Sequence, residues 1–151
     1  MLAINSGMEL VIFAGLQAAG KSTYYRTHYA ATHVHVSKDL MKNARNRDAK
    51  QLAMIEEALS AGRSVVVDNT NPTPAVRAPL IEAGRRHGAR IIAVHFEAAV
   101  KDCVARNRSR EGKERVPDVA IFVTAKKFAA PSFGEGFDEV RVVAPLPPPI
   151  A

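Results

Sequence analysis

With 151 residues, 47% of them apolar and 24% charged, the chain has the size and balance of one soluble globular domain with a real core. No apolar run approaches the roughly 18 residues of a membrane span. The opening MLAINSGMELVIFAG lacks the pattern of a secretory signal, and the single cysteine, Cys103, excludes an internal disulfide and favours a cytoplasmic setting. A formal charge of +6 suits polyanionic partners such as nucleic acid.

In chain order, ELVIFA at residues 9–14 reads as a buried strand, followed by a glycine loop and a helix from Lys21 to Tyr29. THVHVS alternates, which predicts a strand with Val34 and Val36 on one face; His33 and His35 are expected at solvent or a polar edge. After the basic stretch KDLMKNARN, RDAKQLAMIEEALSAG has helical spacing and ends at Gly62. SVVVDNT is a short β-branched strand. Residues 74–87 form a helix with Val76, Leu80, Ile81 and Ala83 inward, closed by Gly88. ARIIAVHFE is a strand, and AVKDCVARNRSR a helix that ends strongly basic, with Cys103 on its apolar face. The charged loop EGKERVP leads to the helix PDVAIFVTAKKFAA, with Pro117 in its first turn. GFDEVRVV is a last strand. Strands and helices alternating at short intervals predict an α/β fold: a mainly parallel sheet with helices on both faces, a three-layer sandwich. It spans residues 1–143, and the proline-rich APLPPPIA at 144–151 is a tail.

Gly15, Gly20, Lys21 and Ser22 satisfy the spacing G-x-x-x-x-G-K-[ST]. Each part has a physical job. The glycines let backbone N–H groups turn toward phosphates, and the helix opening near Lys21 aims its positive dipole end at them. Lys21 reaches the β and γ phosphates, and the Ser22 hydroxyl ligates Mg²⁺. The expected ATP contacts are therefore Gly15, Leu16, Gln17, Ala18, Ala19, Gly20, Lys21, Ser22 and Thr23. Asp68 ends the strand SVVVD, the place of an acid that contacts Mg²⁺; a turn or cap role is the alternative reading. Asp39 follows the second strand, so it falls at the carboxyl end of the sheet, where a base or orienting acid for an accepting hydroxyl belongs. Arg106, Arg108, Arg110 and Arg115 in ARNRSREGKER suit a lid that meets transferring phosphate.

The segments GLQAAGKST, HVSKD, VVVDNTNPTPAVR, RNRSREGKERVP and KKFAAPSFGEGFDEV stand in the order found in polynucleotide 5′-hydroxyl kinases. From about residue 9 to 143 the chain resembles that family, and is most similar to the kinase domain of the eukaryotic polynucleotide kinase/phosphatase. The resemblance implies ATP and Mg²⁺ as cofactors and a 5′-hydroxyl nucleic acid as acceptor. It implies Asp39 as general base and Arg110 as the lid arginine on the transferring phosphate. Arg106 falls on the nucleotide side, Lys38 and Lys42 near the acceptor phosphate, and Asn69 and Asn71 along the acceptor site. Lys38 and Lys42 replace arginines common in the family, which keeps charge but loses the bidentate fork. No D-x-D-x-T phosphatase motif is present in this sequence. A kinase of small-molecule hydroxyls, or an ATP-binding module without transfer, would use the same phosphate loop.

Overall fold

The computed structural model describes residues 7–41 and 45–147. Five strands, β1 (Glu9–Ala14), β2 (Val34–Val36), β3 (Val65–Val67), β4 (Arg90–Phe96) and β5 (Glu139–Val143), form one sheet in the order β2-β3-β1-β4-β5. Every pairing is parallel, with Leu10 opposite Val65 on one side and Ile91 on the other. Parallel neighbours need crossovers, and five helices supply them: α1 (Lys21–His28), α2 (Arg47–Ser60), α3 (Pro74–Arg86), α4 (Val100–Arg108) and α5 (Asp118–Lys127).

The strands' period of two sorts the core into two layers. Leu10 and Ile12 join Ile55 and Leu59 of α2 and Leu80, Ile81 and Ala83 of α3 on one face. Val11 and Phe13 join Tyr25 of α1, Cys103 and Val104 of α4 and Ile121 of α5 on the other. A central strand covered on both faces explains why residues 10–14 are all wholly buried. The expected three-layer α/β sandwich is thus the observed one. Among the described residues no helix is long and apolar enough to cross a membrane.

Two local expectations need correction. Val76 lies in the first turn of α3 and is 43% exposed, because the helix's inward face begins with Arg77 instead. Pro117 caps α5 from outside the helix, and α5 stops at Lys127; Phe128 turns extended and stacks on His95. His33 and His35 take the polar-edge alternative, at the edge strand β2. His33 pairs with Glu9 at 2.8 Å, and His35 reaches the interior of the site described below.

Cys103 is free and wholly buried, and burial pushes its thiol above the ordinary value. A thiol that is both inaccessible and protonated is a poor nucleophile. The native protein is therefore expected to react with a thiol-specific reagent at least about a hundred-fold more slowly than the denatured chain. Comparable rates in the two states would show that α4 opens readily.

Candidate active site

The carboxyl ends of β1, β2 and β3 bring the sequence motifs together, as the crevice of an open α/β sheet does. The loop between β1 and α1 begins at Gly15, whose backbone N–H donates to Thr70 O at 3.0 Å. A Cβ at Gly15 would lie 2.9 Å from Phe96 Cβ and 3.1 Å from Phe96 O, so only glycine fits between β4 and the loop. Gly20 is left-handed, with φ of 97°, and hands the chain directly into α1. Gly15→Ala is expected to push the loop off its register and weaken nucleotide binding about ten-fold or more, readable by titration with a fluorescent ATP analogue. Wild-type affinity in that variant would mean that Phe96 yields without cost.

Lys21 is the first residue of α1 and is 8% exposed. Its ammonium folds back on its own loop, donating to Leu16 O at 2.6 Å and Gly15 O at 3.0 Å. Burial lowers its pKa to about 8; Arg110 pushes the same way, while Asp68 and Asp39 oppose it. Near neutral pH it remains mostly charged.

Ser22 Oγ donates to Asp68 Oδ2 at 2.8 Å. Asp68 is 4% exposed and follows β3 immediately. A hydroxyl and a carboxylate in contact at a phosphate loop are the oxygen donors that Mg²⁺ takes alongside phosphate oxygens, so the residues present fit that ion. His35 Nε2 lies 2.8 Å from the same Oδ2, and the His35 ring stacks on Tyr25 at 3.9 Å. Sequence reasoning missed His35. The pairing of β2 with β3, which sets His35 near the residue that follows Val67, is not legible in the sequence.

Asp39 sits in the 3₁₀ turn Lys38–Leu40 and is exposed. Among the described residues its carboxylate has no hydrogen bond or ion pair. Lys38 pairs through its ammonium with Asp48 of α2, which is 82% exposed. Such an exposed pair contributes under about 1 kcal/mol, so an incoming anion displaces it readily. Lys42 lies outside the described residues.

Of the two asparagines expected along the acceptor site, Asn71 differs from that role, while Asn69 lies beside the turn that holds Asp39. Asn69 Oδ1 accepts from the Lys38 backbone N–H at 2.9 Å, and its amide donates to Gln51 Oε1 at 2.5 Å. Asn71 is 2% exposed, adopts φ of 41°, and donates from Nδ2 to Phe13 O at 2.7 Å. Asparagine tolerates the left-handed region and mimics a backbone donor there. Asn71 therefore ties the β3 loop to the end of β1 and does not line the cleft. Arg77, wholly buried, holds the same turn by donating to Asn71 O at 2.8 Å; it too escaped sequence reasoning.

The arginine segment is braced from within. Asn107, wholly buried, both accepts from Val116 N at 3.0 Å and donates to Val116 O at 2.6 Å, closing the loop between α4 and α5. Arg108 pairs with Asp118 at 2.9 Å and so belongs to the brace. Among the described residues the Arg110 side chain makes one bond, to Glu114 O at 3.3 Å. Arg106 reaches over the phosphate loop to Ala18 O at 3.3 Å, and to Leu146 O and Pro147 O beyond β5. Gln17 anchors the loop from the other side, its amide donating to Thr124 Oγ1 of α5 at 3.0 Å. A concavity of about 390 Å³ between residues 30–34 and 62–64 lies at the amino end of the sheet and contains none of these groups.

Sheet order, phosphate loop and arginine segment together define a P-loop kinase fold. The chain belongs to the AAA domain family, whose model matches residues 10–131. It is 30% identical over 142 residues to a protein of Acanthamoeba polyphaga mimivirus named for bifunctional polynucleotide phosphatase/kinase activity. That match covers 89% of this chain and 33% of the relative, so the chain spans about a third of the length of the curated relatives it matches. Among solved structures it is similar to Chaetomium thermophilum Kti12 in complex with ADP-AlF3, with a TM-score of 0.74 at 17% identity, covering 89% of this chain and 88% of that one. A gluconokinase from Sinorhizobium meliloti has a TM-score of 0.64 at 17% identity, covering 93% and 84%. These structural likenesses establish the fold and leave the acceptor open.

Proposed function

We propose that the protein transfers the γ-phosphate of ATP to the 5′-hydroxyl of a DNA or RNA end. The observation that carries this reading is the 2.8 Å contact of Ser22 Oγ with Asp68 Oδ2 next to the buried Lys21 of the phosphate loop, with Asp39 in the turn that follows β2. The curated relative's name supports the choice of acceptor, and so does the +6 charge. In the proposed reaction the Asp39 carboxylate takes the proton of the 5′-hydroxyl as that oxygen bonds to the γ-phosphorus. The bond from phosphorus to the β–γ bridging oxygen breaks, and ADP leaves with that oxygen. Lys21 releases its loop carbonyls to meet the β and γ phosphates, and Arg110 swings from Glu114 O to the transferring group. Mg²⁺, held through Ser22 and Asp68, would neutralise charge on the β and γ oxygens when bound.

The test is transfer of labelled γ-phosphate to 5′-hydroxyl DNA and RNA oligonucleotides, with nucleosides and sugars assayed in parallel. Labelled oligonucleotide is the expected product. Labelling of a small alcohol alone would reject the nucleic-acid acceptor and keep the phosphate chemistry. ATP binding with no transfer would leave a nucleotide-binding module.

A further inference from the structure

A three-residue 3₁₀ turn cannot hold a carboxylate in place by itself, since so short a helix has no stability of its own. Asp39 nevertheless sits in one, at the surface. Two bonds fix the turn at its start. The Asp39 N–H donates to Ser37 Oγ at 3.3 Å, a long and weak contact. The Lys38 N–H donates to Asn69 Oδ1 at 2.9 Å. The second is the better bond, and it reaches across from β2 to the end of β3.

Asn69 is held in its turn by Gln51, which projects from α2 and is 5% exposed. The polarity of this chain of bonds is determined without ambiguity. A backbone N–H can only donate, so Lys38 forces the oxygen of Asn69 toward itself. The Asn69 amide nitrogen must then face Gln51, which accepts through Oε1 at 2.5 Å. A flipped Asn69 would set its NH₂ against the Lys38 N–H, donor against donor. The Lys38 N–H thereby sets the orientation of Asn69, Gln51 holds the Asn69 side chain in that place, and Asn69 holds the turn.

We infer that Gln51 is a positioning residue for Asp39, acting through Asn69 and the Lys38 backbone. Its catalytic consequence rests on the general-base reading above; its structural consequence does not. Removing the acceptor at Gln51 leaves a part-buried Asn69 amide N–H unpaired and the Asn69 side chain held only by the Lys38 N–H. The turn's better anchor is then loosened while the phosphate loop keeps all of its own.

The experiment compares Gln51→Leu and Gln51→Glu with wild type. Gln51→Glu keeps an oxygen acceptor facing Asn69. Amide hydrogen exchange is read first: the Lys38 amide should exchange at least about ten-fold faster in Gln51→Leu, be protected in Gln51→Glu, and β1 amides should not change in either. An unchanged Lys38 amide in Gln51→Leu, with β1 intact, overturns the inference whatever the activity. Loss of β1 protection as well would also overturn it, because Gln51 would then be a general packing residue. The second readout is the rate of phosphate transfer. Gln51→Leu should lower kcat about ten-fold with the KM for ATP unchanged, and should lower it no further when Asp39 is already asparagine. If Asp39→Asn has no effect in an otherwise active protein, the general-base reading fails while the exchange result still decides the positioning role. If Asp39→Asn abolishes transfer and Gln51→Leu is as fast as wild type, the positioning role fails alone.

Discussion

Asp39→Asn is expected to slow phosphate transfer by a factor of about 10²–10⁴, the usual worth of a positioned general base, and to leave ATP binding within about two-fold of wild type. The two effects separate because Asp39 is exposed and, among the described residues, bonds to nothing through its carboxylate. Asparagine has the same shape, so the turn, its Ser37 cap and the Lys38–Asn69 bond remain. Only the capacity to accept a proton is lost. Removing one negative field beside Lys21 is a minor change to the nucleotide site, because burial and Asp68 rank ahead of Asp39 in setting that ammonium's charge balance. Single-turnover transfer and nucleotide titration on the same preparation check both halves. A transfer rate within three-fold of wild type would show that another group, or water, takes the proton. A parallel collapse of ATP affinity would show that Asp39 supports the loop.

The contrast between what the sequence disclosed and what it hid follows from the range of each interaction. The phosphate loop was legible because its chemistry is local: Gly15 through Ser22 are a contiguous run whose spacing is the mechanism. Asp68 was legible because a β-branched run ending in an acid marks a strand end at the right face of the sheet. The two-faced core was legible from the unbroken apolar run in β1. Side-chain partnerships between distant residues leave no period to detect. Gln51 reads as one polar residue on a helix, and its partner Asn69 lies 18 positions away. His35 and Asp68 are 33 apart. Asn71 illustrates a different failure. Its side-chain type fits a substrate wall and a turn equally well, and only the φ of 41° and the bond to Phe13 O decide between them. Arg77 misled most directly, because a charged residue at a helical position predicts an outward face, and Val76 was assigned inward in its place.

That buried arginine carries the second large effect. Arg77→Leu is expected to destabilise the fold by about 3–5 kcal/mol, the range found when one member of a buried ion pair is removed. Arg77 is wholly buried and grips Glu135 with both arms, Nε to Oε1 at 2.8 Å and Nη2 to Oε2 at 3.0 Å. Its remaining arm holds Asn71 O. Leucine fills part of the volume but strands a carboxylate that is itself 10% exposed. Substituting both partners, Arg77→Leu with Glu135→Leu, should therefore recover stability relative to Arg77→Leu alone, since no unpaired charge remains. Acid distinguishes this account from simple loss of packing. In the wild type, burial pushes the Glu135 carboxyl up, but the bonds from Arg77 and Ser132 outweigh it and hold its pKa below the ordinary 4.5. A depressed carboxylate contributes stability that is present above pH 4.5 and lost as pH falls through its folded value. Without Arg77 the upward push of burial is opposed only by the bonds of Ser132, so the folded pKa rises from its wild-type value. The stabilisation that the ionised carboxylate gives above pH 4.5 is then reduced, and the loss is relieved on acidification. The gap between wild type and Arg77→Leu, measured by urea unfolding, should narrow as pH is lowered from 7 toward 4. A gap that stays constant across that range would mean that Arg77 acts through its volume and its hold on Asn71, with its charge contributing nothing.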